Sequence, residues 1–474
     1  MDEIKKEEQK ELPQGKPKSK LDRRDFLQGL ASIPVLGLFG YAATKQDSYV
    51  KTKKAELSST KIPTGKLSDI NVALLGVGAE GDVLLTSMLK IPGLRFRAVC
   101  DIWTDFNLKK AANKLEKYDH KINRYEDYRE MLAKEKDLDA VIIATPDFWH
   151  SEHTVACLEA GLNVYCEKEM SNTLEGAKKM VLAARRTGKL LQIGHQRRSN
   201  PRYIHCYEKL LKEAKLLGRI VTVNGQWNRA VQPDLGSPKR YEISLSTLKK
   251  YGFESMHQFC NWRWYKKLGG GPIVDLGSHQ IDIYNWFLEA RPKSVMASGG
   301  TDYYDKKTHE WYDTVMAIYE YGTKEGLVRA YYKTQTTNSS LGYYESFMGD
   351  QGTLVLSESA KMGAVYREAS APAWDELVRK GWLSTPKILE QKEETEAFMD
   401  VRETISPDEH KLTVQFSDPY HKPHLENFFN AIRGAEKLNC PAEIGYESAV
   451  CVLKVNQAVE AGRTLNFDPK EFVV

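Results

Sequence analysis

The stretch Ile70-Asn-Val-Ala-Leu-Leu-Gly76-Val-Gly78-Ala-Glu-Gly81 decides the fold. A short apolar run, a turn carrying three glycines and a periodic segment reaching Leu89 read as strand, tight turn and helix. Asp101 stands twenty residues beyond Gly81, closing a second apolar run from Leu94 to Cys100. In that context each glycine has a task. Gly76 permits the turn, Gly78 lets a pyrophosphate approach the backbone, and Gly81 brings the helix close to the sheet. A carboxylate at Asp101 accepts hydrogen bonds from a ribose diol and repels a 2′-phosphate, so the expected dinucleotide is NAD rather than NADP.

Outward from this turn the alternation continues. Helices are expected at Asn107 to Lys117, up to Ala160, and at Leu174 to Thr187. Strands are expected at Asp139 to Ala144, Asn163 to Cys166 and Leu190 to Gly194. This predicts an α/β chain whose first domain, residues 67–195, is a doubly wound parallel sheet. After a helix near Pro201 to Ala214 the texture changes. Segments beginning at Arg219, Lys293, Asp313, Gly326, Tyr343 and Gly352 alternate apolar and polar residues. They predict a second, α+β domain over residues 196–474, built on a large open, mostly antiparallel sheet whose uncovered face is the expected homo-oligomer surface. Residues 358–420 have weak periodicity and read as an insertion-like excursion of loops and short helices; residues 421–474 read as closing helices. No internal repeat is present.

Two further segments carry chemistry. Glu167-Lys168 ends the Asn163 to Cys166 run, at the sheet edge where open α/β folds hold ligands. Gly269-Gly-Gly-Pro-Ile-Val-Asp275-Leu-Gly-Ser-His279-Gln-Ile-Asp282 opens an apolar helix, with Pro272 suited to its first turn. Asp275 and His279 then share a face. Either they form a working pair, or Asp275 caps the helix and His279 is a satisfied buried imidazole.

Taken together, these segments resemble the glucose–fructose oxidoreductase / inositol dehydrogenase (Gfo/Idh/MocA) family from about Asn71 to the C-terminus. The matching pieces are Gly76-Val-Gly78, Ala140 to Pro146 with Trp149-His150, Ala160-Gly161, Glu167-Lys168, Gly194-His195-Gln196-Arg197-Arg198 and the Gly269 to Asp282 block. The resemblance implies catalytic roles for Lys168, Asp275 and His279. It places Thr145, Pro146, His150 and Glu167 beside the cofactor, and His195 and Arg197 toward substrate. One position departs from the family's Glu-Lys-Pro: Glu169 follows Lys168. Without the proline the turn is expected to be less fixed, and a carboxylate beside Lys168 to favour its charged form.

The chemistry implied is hydride transfer between bound nicotinamide and a secondary hydroxyl or carbonyl of a sugar, polyol or glycoside. In this scheme His279 is the acid/base, Lys168 stabilises the oxyanion, and Asp275 orients His279 or anchors substrate hydroxyls. Trp227, Arg229, Trp262, Arg263, Trp264 and Tyr265 suit sugar rings and hydroxyls, or pack a long loop. Of these, Trp262 and Arg263 are taken as substrate contacts. The alternatives are redox-neutral glycoside cleavage by oxidation and elimination, and a non-catalytic nucleotide or sugar sensor.

N-terminal to the fold, Arg23-Arg24 precedes nineteen uncharged residues, Phe26 to Thr44. Residues 1–45 read as a twin-arginine signal or retained anchor and 46–66 as a linker, implying a partner in the twin-arginine export machinery and a periplasmic or cell-envelope location. Free cofactor is scarce there, so the NAD is expected to stay tightly bound. Beyond residue 45, 59 Lys/Arg face 57 Asp/Glu, interspersed, which gives no footprint for nucleic acid. Seven scattered cysteines with no CxxC spacing exclude a disulfide framework by pattern, and no Cys/His spacing predicts a metal.

Overall fold

Strand β1 (Ile70–Leu75) is buried along almost its whole length, as a central parallel strand covered on both faces must be. The computed structural model describes residues 69–359, 361–387 and 408–474. The signal and linker readings, 1–45 and 46–66, lie outside them. In the first sheet β1 is joined by β2 (Leu94–Cys100), β3 (Asn123–Tyr125), β4 (Ala140–Ile143), β5 (Asn163–Cys166) and β6 (Leu191–Ile193). The order is β3-β2-β1-β4-β5-β6, all parallel. The order reverses between β1 and β4, so the crevice at their carboxyl ends is flanked by Gly76 and Thr145, with Glu167-Lys168 following β5. One face packs on the helices Ala79–Met88 and Lys109–Glu116, the other on Asp147–Glu159 and Leu174–Thr187. Strand β3 and the helix Tyr128–Lys134 were not foreseen. Only Tyr125 of β3 is buried, so the strand shows no apolar pattern, and it exists because it pairs with β2.

The second sheet has nine strands in the order β14-β13-β12-β11-β7-β10-β9-β8-β15. They are β7 (Ile220–Asn228), β8 (Pro292–Gly300), β9 (Thr314–Thr323), β10 (Gly326–Gln335), β11 (Tyr343–Gly349), β12 (Gly352–Leu356), β13 (Gly363–Arg367), β14 (Asp408–Lys411) and β15 (Leu465–Asn466). Every neighbouring pair is antiparallel except β7 with β10. The helix Gly271–Phe287 lies on the inner face, and its closeness explains two small residues. A Cβ on Gly277 would meet Tyr332 at 2.9 Å, and one on Gly225 would meet the Tyr284 hydroxyl at 2.2 Å.

Two boundaries differ from expectation. The excursion 358–420 supplies strands β13 and β14, which extend the sheet rather than leave it. The closing helices also do not both serve the second domain. Lys422–Ile432 returns to the first, placing Leu425, Phe428 and Phe429 in one core with Leu84, Leu85 and Tyr165. Burying each phenylalanine contributes about 1.5–3 kcal/mol. The helix Ala442–Ala461 packs against Leu174–Thr187, Gly271–Phe287 and β8. The chain therefore crosses back over the residue-195 boundary before it ends. No helix among the described residues is long and apolar enough to cross a membrane.

Candidate active site

The glycine turn is shaped as its sequence requires. Gly76 has φ +85°, and a Cβ there would lie 2.6 Å from the Ala144 carbonyl oxygen; one on Gly81 would lie 2.2 Å from the Gly76 oxygen. Gly78 is different. A Cβ would meet nothing closer than Asn107 Nδ2 at 3.6 Å, so the protein's own packing does not demand glycine there. No side chain caps the helix that starts at Ala79. Bare N–H groups and space above Gly78 fit a pyrophosphate laid on the turn. Asp101, 9% exposed, accepts from the backbone N–H of Val77 (2.9 Å) and Trp103 (2.8 Å), which ties the carboxylate to the turn. Burial raises its pKa against those hydrogen bonds. Oδ2 also accepts from Asn107 Nδ2 at 3.5 Å, and Oδ1 keeps a lone pair for a ribose hydroxyl.

Thr145 and Pro146 close the opposite wall. Pro146 precedes the helix Asp147–Glu159, and the Thr145 hydroxyl lies 3.0 Å from His153 Nδ1. His150 is buried between the Thr145 carbonyl, 2.6 Å from Nε2, and the Glu169 carbonyl, 2.7 Å from Nδ1. Burial lowers its pKa to about 4 against those two contacts, and the neutral ring has one N–H to give to either carbonyl. The packing of His150 against the Glu169 carbonyl corrects the expectation of a loosened turn at Lys168-Glu169. The Lys168–Glu169 peptide is cis, and Glu169 Oε1 accepts from the Met170 N–H at 2.8 Å. Burial pushes the Glu169 carboxyl up to about 8. It is therefore largely protonated at neutral pH and is not the added negative charge expected beside Lys168.

Lys168 Nζ donates to the Asp275 carbonyl at 2.6 Å and reaches its Oδ1 at 3.3 Å. Arg263 Nε donates to the same Oδ1 at 3.2 Å. Against the upward push of burial, Lys168, Arg263 and Arg229 together hold the Asp275 carboxyl well below the usual carboxylate range. Asp275 thus does not orient His279: among the described residues no hydrogen bond joins them, because two cations take the carboxylate first. Neither is His279 a satisfied core imidazole. Its Nδ1 is buried without a partner, and its ring lies on Trp227 at 5.4 Å. Burial, then Lys168 and Arg197, lower its pKa well below 6.5, so the imidazole is neutral at physiological pH. His195 nearby has both ring nitrogens buried and unpartnered. Burial lowers its pKa to about 4. Unmet hydrogen-bonding groups on two imidazoles beside Lys168 are what a polar ligand at the nicotinamide end would satisfy.

Two expected contacts are otherwise engaged. Arg197 is 1% exposed and paired with Glu345 and Glu358, its Nε 2.9 Å from Glu358 Oε2, which gives it a structural role and leaves its Nη2 buried without a partner. Glu167 is held by neighbouring protein groups. Its Oε1 accepts from the Tyr165 hydroxyl at 3.0 Å, and one oxygen lies within 4.8 Å of ligand atoms of Glu80 and His421. Burial, then the Glu80 charge, push it up to about 7. Trp262 lies under the Arg263 guanidinium at 4.4 Å. Sequence reasoning missed Asp147. It is buried at the start of its helix in the field of Asp275, Arg263 and Lys168, and burial raises it to about 7. Its position directly after Thr145-Pro146 was the available signal.

A parallel nucleotide-binding sheet whose crevice leads to a lysine, a carboxylate and a neutral histidine defines a dinucleotide-dependent oxidoreductase class. Family models agree: residues 70–195 match "Oxidoreductase family, NAD-binding Rossmann fold" and residues 210–467 match "Oxidoreductase family, C-terminal alpha/beta domain". The chain belongs to the Gfo/Idh/MocA oxidoreductase family. It is 28% identical over 241 residues to an inositol 2-dehydrogenase/D-chiro-inositol 3-dehydrogenase of Shouchella clausii, covering 50% of this chain and 57% of that one. It is 30% identical over 223 residues to a D-glucoside 3-dehydrogenase of Escherichia coli, covering 47% and 54%. The matched stretch thus spans little more than half the length of these curated relatives. A levoglucosan dehydrogenase solved with NADH shares the fold, with TM-score 0.63 and 16% identity over 85% of this chain and 100% of that one.

Proposed function

We propose that the protein oxidises a secondary hydroxyl of a sugar, polyol or glycoside, using NAD that stays bound between turnovers. The observation that carries this reading is His279: a buried, neutral imidazole with an unmet Nδ1, beside the Lys168–Asp275 pair. When bound, the nicotinamide supplies the hydride acceptor. His279, uncharged at working pH, takes the hydroxyl proton. Lys168, 11% exposed and held by the Asp275 carbonyl and carboxylate, offers its remaining N–H to the developing oxyanion. Asp275 sets the position of Lys168 and Arg263 and leaves the His279 ring tilted against Trp227. His150 fixes the Lys168 turn from beneath.

Retention of the nucleotide is part of the proposal, as is export. Arg23-Arg24 ahead of the uncharged run supports a twin-arginine route to the periplasm or cell envelope. All seven cysteines are free, and six are buried, which suits folding in a reducing compartment before export. The experiment is direct. Denature the purified protein, identify the released nucleotide, and incubate intact enzyme with a panel of glycosides and polyols. Stoichiometric NAD with reduced cofactor or a keto sugar is the expected outcome. Net free sugar would instead indicate oxidation–elimination, and no product from a broad panel would indicate a sensor.

A further inference from the structure

Four charged groups gather around the reacting position, and three of them are cations. Asp275 is held ionised there by Lys168, Arg263 and Arg229. Of the nearby acids, Glu169 is pushed up to about 8 by burial and adds little negative charge at neutral pH, and Asp147, pushed up to about 7, is only partly ionised. Arg197 is already balanced by Glu345 and Glu358. The centre therefore holds more positive charge than its own residues neutralise.

The excess sits on donors without partners. Among the described residues the Arg229 guanidinium makes no hydrogen bond or ion pair, and only Nε of Arg263 does, leaving both its terminal nitrogens unused. Each guanidinium lies over a tryptophan: Arg229 over Trp227 at 5.4 Å and Arg263 over Trp262 at 4.4 Å. Each guanidinium is packed over an indole and has terminal nitrogens without a hydrogen-bond partner among the described residues, so both can offer an N–H fork to a planar oxyanion. Arg263 keeps 44% of its side chain open to solvent, so an incoming ligand can reach it. Trp227 also lies 5.4 Å from the His279 ring, so one indole neighbours both the Arg229 guanidinium and the proposed base. Holding Asp275 accounts for one N–H of one arginine and does not account for the rest.

We infer that the substrate is an acidic sugar, its anionic group held by the free edges of Arg229 and Arg263 while a neighbouring hydroxyl faces His279. A carboxylate, as in a uronic acid or its glycoside, matches the paired planar forks; a sugar phosphate carries the same charge on another scaffold. This identification of substrate class rests on the oxidoreductase reading, but its binding test does not depend on turnover.

The full chain is titrated by calorimetry with methyl β-glucuronide, methyl β-glucoside and glucose 6-phosphate. The glucuronide is expected to bind about tenfold to a hundredfold tighter than the glucoside, as charge-assisted hydrogen bonds imply. That ratio should shrink with added salt and collapse in Arg229→Met and Arg263→Met, with Arg229→Lys keeping part of it; thermal melts confirm that each variant is folded. Tighter binding of the phosphate than the glucuronide would assign the anion to a phosphoryl group. Equal affinity for glucoside and both acidic sugars, or a preference unchanged in both arginine variants, overturns the inference. The same samples are assayed for cofactor reduction. A glucoside oxidised while acidic sugars go unbound defeats the inference and leaves the oxidoreductase reading standing. Arginine-dependent binding of glucuronide with no sugar oxidised does the reverse.

Discussion

At the residue scale the decisive group is His279. An unperturbed histidine loses its basic form as pH falls through about 6.5. Burial and the charges of Lys168 and Arg197 move the His279 pKa down, so its neutral form persists into more acidic solution. A proton-abstracting base is active when neutral. We expect kcat/KM to stay level as pH falls through the ordinary histidine range and to drop only below it, read from a pH–rate profile on bound-cofactor reduction. Lys168→Met removes a cation from beside the ring, so the acid limb should move upward while kcat falls about 100–1000-fold. A limb that stayed in place, or that lay near 6.5 in the wild type, would remove His279 from the role of base. Helical spacing predicted that Asp275 and His279 share a face. It did not reveal the partner that wins the carboxylate, because Lys168 and Arg263 come from elsewhere in the chain.

At the scale of elements, the turn after β6 is tied to the second sheet by buried charge. Arg197 leaves that turn and pairs with Glu345 on β11 and Glu358 just beyond β12, all three nearly inaccessible to solvent. Tyr203 donates its hydroxyl to Glu345 at 2.9 Å. Replacing Arg197 by Met leaves two buried carboxylates without their cation, which costs about 3–5 kcal/mol. Urea unfolding is expected to show that loss as a lower midpoint. An Arg197→Met protein as stable as the wild type but with a raised KM would restore Arg197 to substrate. The motif Gly194-His195-Gln196-Arg197 was legible in the sequence; its partners, more than a hundred residues on, were not. The same limit hid Glu80, Glu167 and His421, whose ligand atoms meet only in the folded chain. By contrast β1, β4 and β5 were legible because burial on both faces leaves continuous apolar runs. Strand β14, Asp408-Glu-His-Lys411, buries only His410 and is a strand through its pairing with β13, so its composition misleads.

At the scale of the whole molecule, one large surface has no covering layer among the described residues. The inner face of the nine-stranded sheet is closed by the helix Gly271–Phe287, whereas the outer face carries Met296 on β8, Met316 and Ile318 on β9 and Leu327 on β10, all exposed. Met296 and Ile318 are direct cross-strand partners and Met316 is two residues from Ile318 on the same face of β9, so these three form one patch, with Leu327, opposite Gly322, beyond it. At its edge Arg329 and Glu320 pair at 3.4 Å, giving an apolar centre with a charged rim. Contiguous apolar area of this kind marks an interface, and we propose that a second copy of the chain covers it, sheet against sheet. Light scattering of the purified protein should then give a multiple of the single-chain mass. Met316→Lys with Ile318→Lys should return it toward that mass. Both side chains point away from the core, so the double variant should keep its fold to within about 1 kcal/mol per site. A wild type that runs as a single chain at assay concentration, or a double variant with unchanged mass, would place the subunit contact elsewhere.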